Sequence, residues 1–95
     1  MSDKEIEFYQ RLEIQLNDNY QWPSTYLYKF FIPTAQQESL MEIENAFNNM
    51  GAIINTKLSS NQKYTSISIT VSMDSAAAVI QKYQELSRIE NIISI

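Results

Sequence analysis

Four polar residues on predicted strands are best placed to bind a ligand: Lys29, Lys57, Ser66 and Ser68. An ammonium group beside hydroxyl groups suits an anionic ligand, because it supplies a positive charge and several hydrogen-bond donors. The same residues are also typical of an open sheet face that water solvates. The face that Lys57 occupies depends on strand register, since a shift of one residue would move it to the opposite face.

The residue types that most enzymatic chemistry needs are missing. The sequence contains neither cysteine nor histidine. This excludes thiol nucleophiles, thiolate metal sites, serine–histidine triads and histidine general bases. Glu38 and Glu42 are four residues apart on the predicted outer face of a helix, as on a solvated surface. We therefore predict no catalytic residue, no metal site and no cofactor.

Tyr20 and Trp22 lie in a predicted loop and allow two interpretations. They can line a ligand pocket, or they can form an apolar plug between the first helix and the sheet. The plug is the simpler interpretation.

The charge pattern argues against nucleic acid as a partner. The 95 residues carry 7 Lys and Arg against 11 Asp and Glu, for a net charge of −4. Nucleic-acid binders cluster their cations, whereas these are scattered. No apolar stretch approaches the ~20 residues that span a bilayer, so no membrane association is expected. The opening residues, Ser2-Asp3-Lys4-Glu5, lack the pattern of a secretory signal, and a cytoplasmic location is predicted.

Hydrophobic periodicity predicts the elements that position the candidate residues. The clearest is the strand Tyr64–Met73, which alternates apolar and polar residues as a sheet with one buried face does. Thr34 and Gln37 match a capping box at the start of a helix, and Gly51 suits its left-handed end. In chain order, the predicted elements are a helix over 2–16 ended by Asn17-Asp18-Asn19, a strand over 25–32, a helix after Pro33, strands over 52–58 and 64–73, a helix capped by Asp74 or Ser75, and a short strand over 89–95.

This order predicts an α+β fold of the ferredoxin-like split βαβ type (β-α-β-β-α-β), an antiparallel sheet with two helices on one face. An extra N-terminal helix precedes it. Residues 1–19 are predicted to be a helical extension and residues 20–95 the ferredoxin-like domain. The extension should dock through an apolar stripe, either on Leu27 and Phe31 or on a second subunit. The stripe comprises Phe8, Tyr9, Leu12 and Leu16, and the predicted buried sheet face comprises Tyr28, Phe30, Ile67, Ile69 and Val71.

Three segments together resemble the YbeD-like family, a set of small bacterial proteins of unknown function. They are Trp22-Pro23-Ser24-Thr25-Tyr26-Leu27-Tyr28-Lys29, then Lys57-Leu58-Ser59-Ser60 with Tyr64-Thr65-Ser66-Ile67-Ser68-Ile69-Thr70, and last Tyr83-Gln84-Glu85-Leu86 with Ile89. The resemblance covers about residues 20–95. It implies the same ferredoxin-like fold and a similarity to the small-molecule-sensing regulatory domains called ACT domains.

The functional expectation is a non-enzymatic regulatory or protein-interaction module. The alternative is a small-ligand-sensing regulatory domain resembling ACT domains. The last predicted strand, Ile89–Ile95, has four isoleucines and lacks the lysine or proline that usually protects a sheet edge. Pairing of two copies through this strand predicts a two-fold homodimer.

Overall fold

The secondary structure follows the order predicted from the sequence. The structure is a computed structural model that describes residues 2–94. Its helices are α1 (Asp3–Asn19), α2 (Gln37–Ala46) and α3 (Ala76–Leu86). Its strands are β1 (Ser24–Pro33), β2 (Ile53–Leu58), β3 (Tyr64–Met73) and β4 (Ile93–Ser94). The predicted α+β class is confirmed.

The four strands form one antiparallel sheet in the order β2-β3-β1-β4. β1 and β3 pair along their whole length, with Tyr28 opposite Ile69. β2 pairs with the other side of β3, with Ile54 opposite Ile69. This strand order, with crossovers through α2 and α3, is consistent with the predicted ferredoxin-like fold.

The core lies between the helices and one face of the sheet. Tyr28, Ile67 and Ile69 are fully buried there, and α2 and α3 contribute Ile43 and Val79 from above. The predicted buried sheet face is confirmed, because Phe30 and Val71 are also in the core. Burial is nearly complete on this face because its residues in β1 and β3 are apolar or aromatic apart from Ser24 and Thr65.

The first helix is longer than predicted. Ser2 caps it by accepting a hydrogen bond from the Glu5 amide at 3.3 Å, and the helix runs through Asn19. The prediction that Asn17-Asp18-Asn19 ends it is wrong, because polar side chains stabilise the last turn. Asn19 donates to the Gln15 carbonyl at 2.7 Å, and Asn17 accepts from the Trp22 indole at 2.9 Å.

The predicted docking of α1 on Leu27 and Phe31 is also wrong. α1 packs against α3 on the helix side of the sheet, with Leu16 buried there and Tyr9 and Leu12 partly buried. Leu27 remains 57% exposed. The plug of Tyr20 and Trp22 explains the choice of side, because these stacked rings, 5.2 Å apart, pack against the core and hold the α1–β1 connection there.

The predicted capping box at α2 is wrong as well. The helix begins at Gln37, and the N-cap is Gln36, which makes no capping bond with its side chain. The Thr34 hydroxyl instead lies 3.0 Å from that of Thr65 on β3. A bond to the sheet therefore replaces the predicted local cap. The predicted end of the helix at Gly51 is wrong, because α2 ends at Ala46 and Phe47 is its C-cap. Gly51 does have a left-handed backbone, with a φ of 70°, but in the turn that follows the helix.

The last strand is much shorter than the predicted Ile89–Ile95. Ile89 is buried in the core, and its amide bonds to the Leu86 carbonyl in a turn. Only Ile93 and Ser94 pair with β1, opposite Phe31 and Phe30, and residue 95 lies outside the described residues. Apolar isoleucines favour a strand and a buried turn alike, which is why composition alone overestimated the strand.

Candidate functional site: the open sheet face

The sheet register brings the four predicted binding residues onto one face. Ser68 lies opposite Lys29 on one side, and Ser66 lies opposite Lys57 on the other. Directly opposed residues of paired strands share a face, so all four belong to the face that the helices leave open. The predicted face of Lys57 is thereby confirmed, whereas the binding role of the four residues stays a prediction.

Two of the four residues line a shallow depression of about 380 Å³. Lys57 and Ser66 contribute to it together with Phe31, Leu58, Ser59 and Ser60. Lys29 and Ser68 occupy the neighbouring row and do not line it. The hydroxyls are already engaged, since Ser66 donates to the Lys57 carbonyl at 3.3 Å and Ser59 to Asn61 at 2.8 Å. The ammonium groups are therefore the stronger recognition elements here.

The open face is cationic although the chain as a whole is acidic. Lys29 and Lys57 are the charged residues of the three long strands, which contain no Asp or Glu. Neither lysine forms an ion pair with another residue in the part of the chain that the structure describes. All 11 acidic residues lie on helices, turns and connections. The open face is thus positively charged, whereas the helices, turns and connections together carry a net negative charge.

Exposed apolar side chains accompany the two lysines. Leu27 and Ile53 flank Thr70 in one row across the sheet and are 57% and 63% exposed. Ile93 lies opposite Phe31 and is 51% exposed. The sequence pointed to Leu27 and Phe31 on this face but missed Ile53 and Ile93. Only the register of β2 and β4 places Ile53 and Ile93 on the open face. A strand of two residues is too short for its sequence to show alternation.

The helix side contains a second feature, a cavity of about 500 Å³ between α1, α3 and the β1–β4 edge. Sequence reasoning missed it because it depends on where α1 docks. The hydroxyls of Tyr26 and Tyr83 lie 2.9 Å apart beside it. Its lining is mostly aromatic and aliphatic: Phe8, Tyr9, Leu12, Tyr26, Phe30, Tyr83, Leu86, Ser87, Ile92 and Ser94.

Tyrosines beside this cavity have perturbed acidities. Tyr28 is fully buried and donates to the Val79 carbonyl at 3.1 Å. Burial raises the pKa of Tyr28 well above its ordinary value, and the nearby Tyr26 adds to the effect. Burial also raises the pKa of Tyr83 well above its ordinary value, assisted by its hydrogen bond to Tyr26. Both phenols therefore stay neutral at physiological pH and serve as structural hydrogen-bonding groups.

Residues 2–94 contain no cluster of three or more acidic side chains arranged to hold a metal ion. The same described residues include no helix with the length and apolar character needed to cross a membrane.

Fold and surface together define a ferredoxin-like α+β domain with an open, cationic and partly apolar sheet face. The chain belongs to the family described as "Protein of unknown function (DUF493)", which it matches over residues 17–95. The YbeD-like family predicted from the sequence is this family, so that prediction is confirmed. The match begins within α1, and the division into residues 1–19 and 20–95 stays a prediction.

The chain is similar to the solution structure of protein HP0495 from H. pylori, with a TM-score of 0.64 and 15% sequence identity. The likeness covers 80% of this chain and 85% of the other. At that identity it shows the fold alone. No curated protein matches the chain. The similarity to ACT domains stays a prediction.

Proposed function

We propose that this chain is a non-enzymatic protein-interaction module whose open sheet face binds an acidic, partly apolar surface of a partner protein. The segregation of charge supports this most directly. Two lysines without ion-pair partners lie among exposed apolar residues on a face that carries no acid, and the acidic residues lie elsewhere. A regulatory role would follow from competition for this face.

The two kinds of side chain would contribute differently to binding. Burial of Leu27, Ile53 and Ile93 would supply affinity, since removing apolar area from water contributes roughly 25 cal/mol per Å². Lys29 and Lys57 are separated by one strand, about 10 Å across the sheet. Charges at such a rim mainly raise the association rate and select an acidic partner. Binding should therefore weaken with added salt without disappearing.

Charge reversal on each side of the molecule tests the proposal. Protein partners are captured on immobilised chain and quantified by mass spectrometry for the wild type, Lys29→Glu/Lys57→Glu and Glu38→Lys/Glu42→Lys. The Lys29→Glu/Lys57→Glu variant should lose an acidic partner. The Glu38→Lys/Glu42→Lys variant, the control with its substitutions on exposed α2, should retain that partner. A partner captured equally by both variants would show that the open face is not the binding surface.

A small-ligand sensor is the second candidate function, and the 500 Å³ cavity is the observation that favours it. A cavity of this size, mostly apolar but lined by several residues that carry hydroxyl groups, has the character of small-molecule sites. Thermal shift against amino acids, nucleotides and acyl cofactors separates the candidates. A saturable rise in Tm favours the sensor, because a ligand stabilises the state that it binds. If no compound changes the Tm and a protein partner is captured in a charge-dependent way, the interaction module is favoured.

A further inference from the structure

The cavity of about 500 Å³ on the helix side is built mainly by the packing of α1 against α3 above β1. Of the ten described residues that line it, three belong to α1, two to β1 and three to the end of α3. The other two are Ile92 and Ser94. The walls of the cavity therefore come mostly from the three longer elements, and only a small part comes from the last strand.

Aromatic rings form half of this lining, because five of the ten residues are Phe or Tyr. Tyr83 makes edge contacts with Tyr26 and Phe30, with ring centroids 6.3 and 6.1 Å apart. Aromatic rings attract one another in edge-to-face and offset-stacked arrangements. A planar ring that enters the cavity therefore finds aromatic partners on both β1 and α3.

No charged side chain lines the cavity among residues 2–94. A helix C-terminus can favour a cation, but the last carbonyls of α3 already accept hydrogen bonds. The Tyr83 carbonyl accepts from the Ser87 amide at 2.9 Å, and the Gln84 carbonyl accepts from the Ser87 hydroxyl at 2.7 Å. The Leu86 carbonyl accepts from the Ile89 amide at 3.0 Å. A charged ligand would thus lose its hydration without gaining a counter-charge, which is strongly unfavourable.

The tyrosine pair beside the cavity contains a hydrogen-bond donor that is not fully used. The hydroxyls of Tyr26 and Tyr83 lie 2.9 Å apart, and neither bonds to a third residue in the described part of the chain. Two hydroxyls that bond to each other hold two hydrogens and use one of them. Burial raises the pKa of Tyr83, so its phenol keeps its hydrogen at neutral pH. The second hydrogen of the pair is therefore available to an acceptor on a ligand.

We propose that the cavity binds an uncharged small molecule made of an aromatic ring and one carbonyl group, whose oxygen accepts the second hydrogen of the Tyr26–Tyr83 pair. The ring packs among the aromatic side chains, and the carbonyl fixes its orientation. The inference rests on the second candidate function, the small-ligand sensor, and names the class of its ligand. The open sheet face takes no part in this site.

The absence of charge from the described lining separates this site from sensors of free amino acids. A free amino acid is a zwitterion at neutral pH, and a nucleotide carries negative phosphate groups. Both would have to bury unpaired charge in the cavity. Amino acids and nucleotides should therefore leave the Tm unchanged, whereas a neutral aromatic amide added to the same thermal-shift panel should raise it.

Three compounds that share one ring and chain test the charge requirement. Cinnamamide is neutral, cinnamate has the same shape with a negative charge, and cinnamylamine carries a positive charge. NMR titration of the full chain should show saturable binding of cinnamamide, with nuclear Overhauser effects between its ring and the methyl groups of Leu12 and Leu86. Cinnamate and cinnamylamine should bind at least about tenfold more weakly, because each would bury an unpaired charge.

The tyrosine pair is tested by removing both hydroxyls together. Tyr26→Phe/Tyr83→Phe replaces both hydrogen-bond partners with apolar groups of the same shape, so the fold should be retained. Cinnamamide should bind this variant about fivefold more weakly, because its carbonyl loses the donor. Tyr64→Phe is the control, since Tyr64 does not line the cavity, and should bind cinnamamide as the wild type does.

The α1 wall is tested with a matched pair of substitutions. Phe8 lines the cavity and Ile14 does not, although both belong to α1 and are 60% and 62% exposed. Because both side chains are mostly exposed, neither substitution should unfold the chain. Phe8→Ala should weaken cinnamamide binding about fivefold by removing an aromatic contact, whereas Ile14→Ala should leave it unchanged.

Several results would overturn the inference. Equal affinities for the three compounds would remove the charge requirement, and tighter binding of cinnamylamine would make the aromatic lining a cation site. Cinnamamide binding that survives both Phe8→Ala and Tyr26→Phe/Tyr83→Phe would place the ligand outside the cavity. No saturable binding of cinnamamide would reject the site. The protein-interaction proposal fails separately, if Lys29→Glu/Lys57→Glu leaves partner capture unchanged, and this variant should bind cinnamamide as the wild type does.

Discussion

At the scale of single residues, the tyrosines beside the cavity show how polar groups are accommodated in an aromatic core. Tyr26 and Tyr83 satisfy each other's hydroxyl at 2.9 Å, and Tyr28 uses a helix carbonyl. No buried side-chain nitrogen or oxygen lacks a hydrogen-bond partner among the described residues. A hydroxyl left unpaired in such a place costs more than the bond itself contributes.

Replacing Tyr83 with Phe should therefore destabilise the fold. The substitution removes the partner of the Tyr26 hydroxyl and should lower the free energy of unfolding by about 1 kcal/mol. Urea denaturation, monitored by circular dichroism, measures this change in the free energy of unfolding. Tyr64→Phe is the control, since Tyr64 is 43% exposed, and should change stability by less than about 0.5 kcal/mol. Equal effects of both substitutions would contradict a structural role for the Tyr26–Tyr83 bond.

The raised pKa values of Tyr28 and Tyr83 predict loss of stability in alkali. An unfolded tyrosine ionises with a pKa of about 10, whereas the folded protein keeps both phenols protonated above that pH. The unfolded state then binds fewer protons, so stability is fully present below pH 10 and falls as the pH rises further. Each tyrosine contributes at most about 1.4 kcal/mol per pH unit. Urea denaturation at pH 9, 10 and 11 should show the decline, and Tyr28→Phe should reduce its slope.

At the scale of elements, α1 is attached to the domain through few buried contacts. Leu16 is its buried residue, whereas Phe8 and Ile14 are 60% and 62% exposed. Three of the four residues of the predicted stripe, Tyr9, Leu12 and Leu16, pack against the core, and the fourth, Phe8, stays exposed. Because Phe8 lines the cavity, the exposed start of α1 also forms one wall of it.

Leu16→Ala should detach α1 or weaken its docking. Truncation of a buried leucine costs roughly 2–5 kcal/mol through lost burial and the cavity left behind. Ile14→Ala, two residues earlier on the exposed side, should stay within about 0.5 kcal/mol of wild type. Thermal unfolding of both variants measures the difference. Similar melting temperatures would show that α1 docking contributes little to stability.

The strands could be predicted better than the packing of the elements around them, because the alternation of apolar and polar residues is a local pattern in the sequence. Strict alternation in β3 identified its buried face and placed Ser66 and Ser68 on the open one. The position of α1 follows instead from long-range packing of Leu16 and the Tyr20–Trp22 plug, which no periodicity encodes. The cavity depends on that position and on the turn formed by Ile89, so it was missed as well.

At the scale of the whole molecule, function follows from an unequal distribution of charge and apolar area between the two faces. The helix side carries the acids and the cavity, and the sheet face carries Lys29, Lys57 and exposed aliphatic side chains. Patterning of β1 and β3 was sufficient to place both lysines on one face. The sequence alone predicted a last strand of seven residues, whereas among the described residues only Ile93 and Ser94 pair with β1.

The homodimer predicted from the sequence stays a prediction, and the structure limits its strength. Each copy offers two described residues of β4, Ile93 and Ser94, where seven were expected. Stable interfaces bury about 800 Å² per partner, far more than two strand residues supply. A dimer built on this edge should therefore be weak, with a Kd roughly in the millimolar range, equivalent to about 4 kcal/mol.

Light scattering coupled to size exclusion checks this expectation. A mass near 11.1 kDa should dominate at micromolar concentration, and the average mass should rise only on concentration. Ile93→Lys should remove that rise, because a lysine on an edge strand opposes pairing. A dimer that persists at low micromolar concentration would contradict pairing through Ile93 and Ser94 alone and would require a larger interface. A monomer at every concentration would reject the homodimer.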